Sequence, residues 1–471
     1  VLRLAPAYER SSLALPLLVG LLALAVGLVS AMTSPVLVGG ALLGVAVLAA
    51  IWARPISGLG LFVLVVALLP FGVIPVQVGV QLTLVDAVLI ATYSALLPRG
   101  LFAVKNLGAT GLLLLGFVLV ATVAFIAGAA ASPTPPELMR RFAKLVAALL
   151  FFVVARRLLE SQHTLYSLTR WLMLAGAIQG AIGAGLYLLS PTTQLTLLSS
   201  LAPLGYPTTD VLRYVPGPND TYTTQLRAIG TSIDPNVFGG TLMLALLLTS
   251  VQLVAPRPVM RRGWLVLLAL PTLAGVVLSL SRASWVGLAA GLLVVGLLEY
   301  RRILVLGFIG LAVVLALPAA DDLILRFVSG FSVADRATAF RVGEYANALT
   351  LIQRYPLLGI GFGASPDIDV TAGVSSVYLL VAEQTGLLGL GLYLAAVVSV
   401  AAGGIARLRR RVEPRLDGVL AAFVAAVCGA LVAGLLDHYF ANQAFPHAVA
   451  LFWLYAAALA SGGDRHDATA S

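Results

Sequence analysis

Read for its hydrophobic and polar positions, the chain is a succession of apolar runs separated by short charged connections. The runs fall at 13–31, 35–53, 56–71, 82–98, 110–131, 138–156, 164–190, 234–255, 263–280, 284–299, 302–318, 376–403, 416–436 and 445–461. A helix needs roughly 20 apolar residues to cross a bilayer. The pattern therefore predicts an all-α polytopic membrane protein with about 12–14 transmembrane helices. The first run lacks a small-residue cleavage site and is followed at once by another, so it is expected to be a retained helix and not a signal peptide.

Only two connections are long, and long connections in compact proteins are usually functional or disordered. The predicted organisation is N-terminal helices over 1–190, a first loop over 191–233, central helices over 234–318, a second loop over 319–375 and C-terminal helices over 376–471. The first loop is rich in Pro, Thr, Tyr and Gly (Pro203, Gly205, Pro207, Pro216, Gly217, Pro218) and reads as an irregular cap. In the second, Phe340, Tyr345, Leu349 and Ile352 recur at helical spacing beside Arg341, Glu344 and Asn347, which predicts an amphipathic surface helix over Ala337–Arg354.

Composition adds the reason. With 60% hydrophobic and 10% charged residues, the 471-residue chain could not cover a soluble surface. The formal net charge of +9 first suggests a nucleic-acid partner, but it resolves by side. With the amino terminus taken as cytoplasmic, the inner connections hold 19 of the 29 basic and seven of the 20 acidic residues, a balance of +12 against −3 elsewhere. Cytoplasmic loops retain Lys and Arg, so the excess reports orientation: both termini and the basic connections inside, both long loops outside. No nucleic-acid partner is expected. The single cysteine, Cys428, excludes an intramolecular disulfide, and His163, His438, His447 and His466 share no metal-ligand spacing, so neither metal nor cofactor is expected.

The candidate chemistry lies on the outer side. Arg227, Arg282, Arg341 and Arg354 stand there against the charge bias. A guanidinium fork suits phosphate oxygens, although each arginine could instead snorkel to lipid headgroups. Arg282 is wedged in an apolar stretch, where an ionisable residue is expensive. Asp234-Pro235-Asn236 reads first as a helix start, with Asp as N-cap and Pro at the first helical position, a role that leaves room for a catalytic contact. Glu383, near Tyr378, is either a base or an ion-pair partner. His438 in Asp437-His438-Tyr439 is either an interfacial hydrogen-bonding residue or a base, and Asp86 is a helix-to-helix contact. Gly359-Ile360-Gly361-Phe362-Gly363 has no strand before it, which argues against a dinucleotide site.

Taken in order, Arg227-Ala-Ile-Gly230 with Asp234-Pro-Asn236, Ser281-Arg282-Ala-Ser-Trp285, Arg341 leading to Tyr355-Pro-Leu-Leu-Gly-Ile-Gly361, Val377-Tyr-Leu379 with Glu383 and Gly386-Leu-Leu-Gly389, and Asp437-His-Tyr439 resemble the bacterial O-antigen ligase and polymerase family. The resemblance covers roughly residues 220–455. It implies a multispanning glycosyltransferase of the GT-C type in the bacterial plasma membrane. Such an enzyme takes a glycan from undecaprenyl diphosphate at the outer face, without a metal, and transfers it to lipid A core (ligase) or to another lipid-linked repeat (polymerase).

By motif position Arg227 and Arg282 match the diphosphate-binding arginines, and Arg341 matches a recurrent arginine of the outer-loop helix; Arg354, Tyr345, Ser375 and Tyr378 complete the expected substrate-binding set, with Asp234, Glu383 and His438 as catalytic candidates. Expected partners are the lipid-linked glycan, a saccharide or lipid-linked acceptor, membrane lipids and a chain-length regulator protein. Ligases carry His where this chain has Ser375, which favours a polymerase and leaves His438, Asp367, Asp369 or Glu383 to activate the acceptor hydroxyl. The rival from another class is a lipid-linked sugar transporter or flippase, which predicts ionisable groups near the membrane midplane.

Overall fold

The computed structural model describes residues 35–74, 81–101, 104–131, 134–216, 222–316, 324, 336–367, 369–411 and 413–461. The apolar run at 13–31, the cytoplasmic placements of Arg3, Arg10 and Arg465, Gly217 and Pro218 of the first loop, and Arg326 lie outside the described residues. The chain forms two compact units, 1–57 and 58–471. In the first, the described part is helix α1 (Pro35–Ala53) and the turn after it, where the Ser57 hydroxyl donates to the Arg54 carbonyl at 2.8 Å.

From there the helices are α2 (Ile56–Leu68), α3 (Leu84–Leu96), α4 (Val104–Ala131), α5 (Pro136–Leu158), α6 (Gln162–Tyr187), α7 (Pro191–Ser199), α8 (Pro235–Val254), α9 (Arg262–Leu278), α10 (Arg282–Leu298), α11 (Arg302–Leu315), α12 (Arg336–Arg354), α13 (Val377–Arg410), α14 (Pro414–Ala433) and α15 (Pro446–Ser461). The structure is mostly helical, at 75%. Among the described residues, α4, α8, α13 and α14 are long and apolar enough to cross a membrane, and six further apolar helices are shorter. This is the all-α membrane architecture expected, with fewer full-length spans than the hydropathy runs suggest. The runs at 263–280 and 284–299, for example, fold as the two separate helices expected, parted at Leu278–Arg282, but each is only 17 residues long and falls among the shorter apolar helices.

Helix α8 is apolar all round and buried through most of its length, against α6, α9, α10 and α14. Small residues let the neighbouring backbones approach it and one another, as in other membrane bundles. A Cβ at Gly287 of α10 would stand 2.7 Å from the Gly429 carbonyl oxygen of α14, and one at Gly291 would stand 2.6 Å from that of Ala425. The expected helix-to-helix role of Asp86 is borne out, since its carboxylate meets Lys144 Nζ of α5 at 2.7 Å.

The first loop departs from the expected irregular cap. It contains α7 and an antiparallel hairpin of β1 (Arg213–Pro216) and β2 (Tyr222–Arg227), with Arg213 opposite Arg227. Strands of four and six residues are too short to stand out against a Pro- and Thr-rich background. The amphipathic helix of the second loop is present as α12, one residue longer at its start than expected.

Candidate active site

The break between α9 and α10 organises the first half of the site. Within it Leu280 takes φ 52°, a left-handed value rare outside glycine. Strand β2 ends on this break: the Ala228 N–H donates to the Leu278 carbonyl at 2.9 Å, and Arg227 Nε donates to the Ser279 carbonyl at 2.9 Å. Arg227 Nη2 also donates to Asn236 Oδ1 at 2.6 Å, in the first turn of α8. One guanidinium thus joins the hairpin, the break and the start of α8. Arg282 opens α10 three residues beyond Ser279, so the tertiary structure brings Arg227 and Arg282 to the same break.

Asp234 caps α8 as its sequence predicts, Oδ1 accepting from the Asn236 and Val237 N–H groups at 2.8 and 3.0 Å. Just before it, Ile233 has φ 61°. A β-branched residue in that region costs on the order of 1–3 kcal/mol, a strain found where the surroundings over-determine a functional geometry. The starts of α8 and α10 lie together, since a Cβ on Gly239 would stand 2.6 Å from Ser279 Oγ and 2.9 Å from Ser284 Oγ. Two helix N-termini and two arginines at one place favour an anion.

The second half is a cleft of about 710 Å³. One wall is a single face of α12, carrying Phe340, Glu344 and Asn347; the other is the strap of residues 371–375; His438 and Asn442 complete it. His438 Nδ1 lies 3.1 Å from Asp437 Oδ1, which also accepts the His438 main-chain N–H at 2.8 Å. A carboxylate can only accept here, so Nδ1 carries the proton and Nε2 is left as the basic nitrogen. Burial draws the His438 imidazole down, but the hydrogen bond and charge of Asp437, with the charges of Glu344 and Asp234, outweigh it and hold the group above its ordinary value. Next along the chain, Tyr439 packs its ring on Gly240 of α8 and lies beside Ser284 of α10. Residues 437–439 therefore link the cleft to the arginine-bearing break.

The glycine-rich stretch is structural. Helix α13 is interrupted at Gly386, where φ 67° and ψ −174° free the preceding carbonyls. The Glu383 carbonyl accepts from the Ile360 N–H at 2.9 Å, the Gln384 carbonyl accepts from that of Gly361 at 3.1 Å, and the Leu387 N–H donates to the Pro356 carbonyl at 2.7 Å. Gly359 and Gly361, with φ 66° and 80°, allow this docking. The Glu383 side chain is buried, and its Oε1 accepts from the Gly373 N–H of the strap at 2.8 Å.

Of the residues predicted from sequence, Ser375 and His438 line the cleft, and Arg227, Arg282 and Asp234 gather at the break. Arg341 is half-buried on α12 beside the cleft-lining Phe340. Arg354 is not brought to either place with its charge available: its guanidinium meets Asp367 at 2.9 Å and both oxygens of Asp369 at 3.1 and 3.0 Å, and that hydrogen-bonded pairing holds Asp369 below the usual carboxylate range. The Tyr345 hydroxyl donates to the Leu435 carbonyl at 2.9 Å and that of Tyr378 to the Leu431 carbonyl at 2.6 Å, so both fix packing around 431–435. The sequence places Glu344 and Asn347 beside Arg341 on the amphipathic helix and Asn442 close to His438, but does not assign them to the site; the structure brings all three to the cleft.

No curated protein matches the chain. Residues 264–394, from α9 to the middle of α13, match the family model described as O-antigen ligase. Over that segment the match bears out the resemblance carried by the motifs, and the chain is a multi-pass membrane protein similar there to the O-antigen ligase and polymerase family.

Proposed function

We propose that the protein is a membrane glycosyltransferase that moves a glycan from an undecaprenyl-diphosphate carrier to a saccharide acceptor at the outer face of the bacterial plasma membrane, as a surface-polysaccharide polymerase. The observation that carries this reading is the junction of two sites: a roomy polar cleft with an Asp437–His438 pair, and beside it a break where Arg227, Arg282 and two helix N-termini converge.

In the proposed reaction an acceptor hydroxyl in the cleft attacks the anomeric carbon of the donor glycan. Its proton passes to His438 Nε2 as the new glycosidic bond forms. The bond between the anomeric carbon and the diphosphate oxygen breaks, and the electron pair leaves with undecaprenyl diphosphate. Arg227 and Arg282 stabilise the charge developing on that leaving group, the point at which fixed donors act most strongly. Asp234 holds the first turn of α8 against Arg227 through Asn236 and acts on the diphosphate through that geometry.

A second reading, transfer of finished polymer to lipid A core, is favoured by the ligase description of the matched family. Against it stands Ser375, which lines the cleft where ligases carry His. A chain-length regulator is the protein partner that the polymerase reading calls for.

The test is transfer from a lipid-diphosphate-linked glycan by purified, reconstituted protein, read as products on gels. Arg227→Ala and Arg282→Ala should each lower turnover by about 10²–10³, and the Lys variants should recover only part of it because an ammonium lacks the guanidinium fork. Full transfer in both alanine variants would sink the assignment.

A further inference from the structure

We infer that Glu383 is a positioning residue, which sets the shape of the acceptor cleft by holding the strap of residues 371–375, and does not exchange a proton with substrate. The inference rests on the reading of the cleft as the acceptor site.

The geometry around Glu383 is that of a junction. Its main-chain carbonyl, released by the interruption at Gly386, accepts from Ile360 and so fixes the 355–361 loop. Its side chain, directed toward the start of the helix as helical side chains are, reaches back ten residues, and Oε1 accepts from the Gly373 N–H at 2.8 Å. Glu383 is 2% exposed and is not among the residues that line the cleft, whereas Gly373, Val374 and Ser375 are. A general base must come within hydrogen-bond reach of the proton that it takes. Glu383 stands behind the wall, and His438 stands in it.

The other end of the strap is held in the same way. Glu344 Oε2 on α12 accepts from the Ser375 N–H at 3.0 Å, and the Tyr345 hydroxyl lies 3.3 Å from the Ser375 carbonyl oxygen. Between the two anchors Val374 is buried against Ala348 and Leu380. Two carboxylates on different helices thus pin two backbone N–H groups two residues apart, and the cleft between α12 and the strap takes its width from them.

A glutamine retains the oxygen that accepts from Gly373, and an alanine does not. Glu383→Gln should keep kcat and raise the acceptor KM by less than about threefold, while Glu383→Ala, which leaves the strap N–H without its acceptor, should raise it about ten- to hundredfold with the donor KM unchanged. Strap position is read separately by placing a thiol at Val374 (Val374→Cys with Cys428→Ser) and timing maleimide labelling. Labelling should be slow in that background and at least about tenfold faster with Glu383→Ala.

Loss of kcat in Glu383→Gln as complete as in Glu383→Ala, at unchanged acceptor KM, overturns the inference in favour of proton transfer. Unchanged acceptor KM and labelling in Glu383→Ala also overturns it. Should Glu383→Ala be lost from the membrane, Glu344→Ala carries the same readouts at the Ser375 end. If the unsubstituted protein transfers no glycan while labelling still accelerates, the strap inference stands and the glycosyltransferase reading falls.

Discussion

Replacing Asp437 by Asn tests whether the cleft histidine is the base. The change is nearly isosteric, and the amide oxygen can still accept the His438 main-chain and Nδ1 hydrogens, so what is lost is charge. Asp437 is buried, which limits screening by water. Burial pulls His438 down, and Asp437, Glu344 and Asp234 pull it up. With Asp437 neutral, only the two more distant carboxylates oppose burial. A hydrogen bond to a charged partner contributes about 1.5–3 kcal/mol, more than one to a neutral amide, so the imidazole should fall. The neutral form is the base. Transfer by the unsubstituted protein should therefore rise with pH through a midpoint above the ordinary imidazole value, and in Asp437→Asn the rising limb should move to lower pH. Above both midpoints the variant should be slower, because a weaker base takes the hydroxyl proton less readily. The assay is kcat/KM for transfer between pH 5 and 9 in proteoliposomes. Coincident midpoints in the two proteins, or a limb in the unsubstituted protein below the ordinary imidazole range, would refute the role of the pair.

Two substitutions test the fold that carries the site. Gly386→Ala forces a left-handed φ on a residue with a Cβ, which would also collide with the main chain of Leu357; the cost should reach about 3 kcal/mol, seen as a lower midpoint of thermal unfolding in detergent, whereas Gly391→Ala, with nothing near its Cβ, should be neutral or slightly stabilising. Equal midpoints for the two variants would count against the interruption of α13. Lys144→Met leaves the Asp86 carboxylate largely buried without its cation and should destabilise by about 2 kcal/mol; adding Asp86→Asn, which keeps an oxygen for the Thr83 N–H, should recover most of this, and a double variant no more stable than Lys144→Met would contradict the pairing.

How far the chain declares itself can be read from particular residues. The apolar runs needed no tertiary information, because a membrane solvent demands long apolar helices whatever their neighbours. Asp234-Pro235 declared a helix start because a cap is made within a few residues, and α12 declared itself because amphipathic periodicity is local. The arginines stood out for a related reason, since a cation in an apolar run is expensive wherever the chain goes. What sequence could not supply was convergence. Arg354 and Arg227 look alike along the chain, yet one is met by Asp367 and Asp369 and the other ties a hairpin to a helix break. Glu383 and His438 both look like bases, and only packing puts one behind the cleft wall and the other within it. The β-hairpin escaped because its end is held by the carbonyls of Leu278 and Ser279, some fifty residues away. Sequence alone determined the solvent of this protein, most of its helices and the family of its motifs, since these follow from composition and short-range geometry. Tertiary structure alone decided which charges are spent on the protein and which face the cleft, because hydrogen-bond partners and burial are set by contacts that the order of residues does not contain.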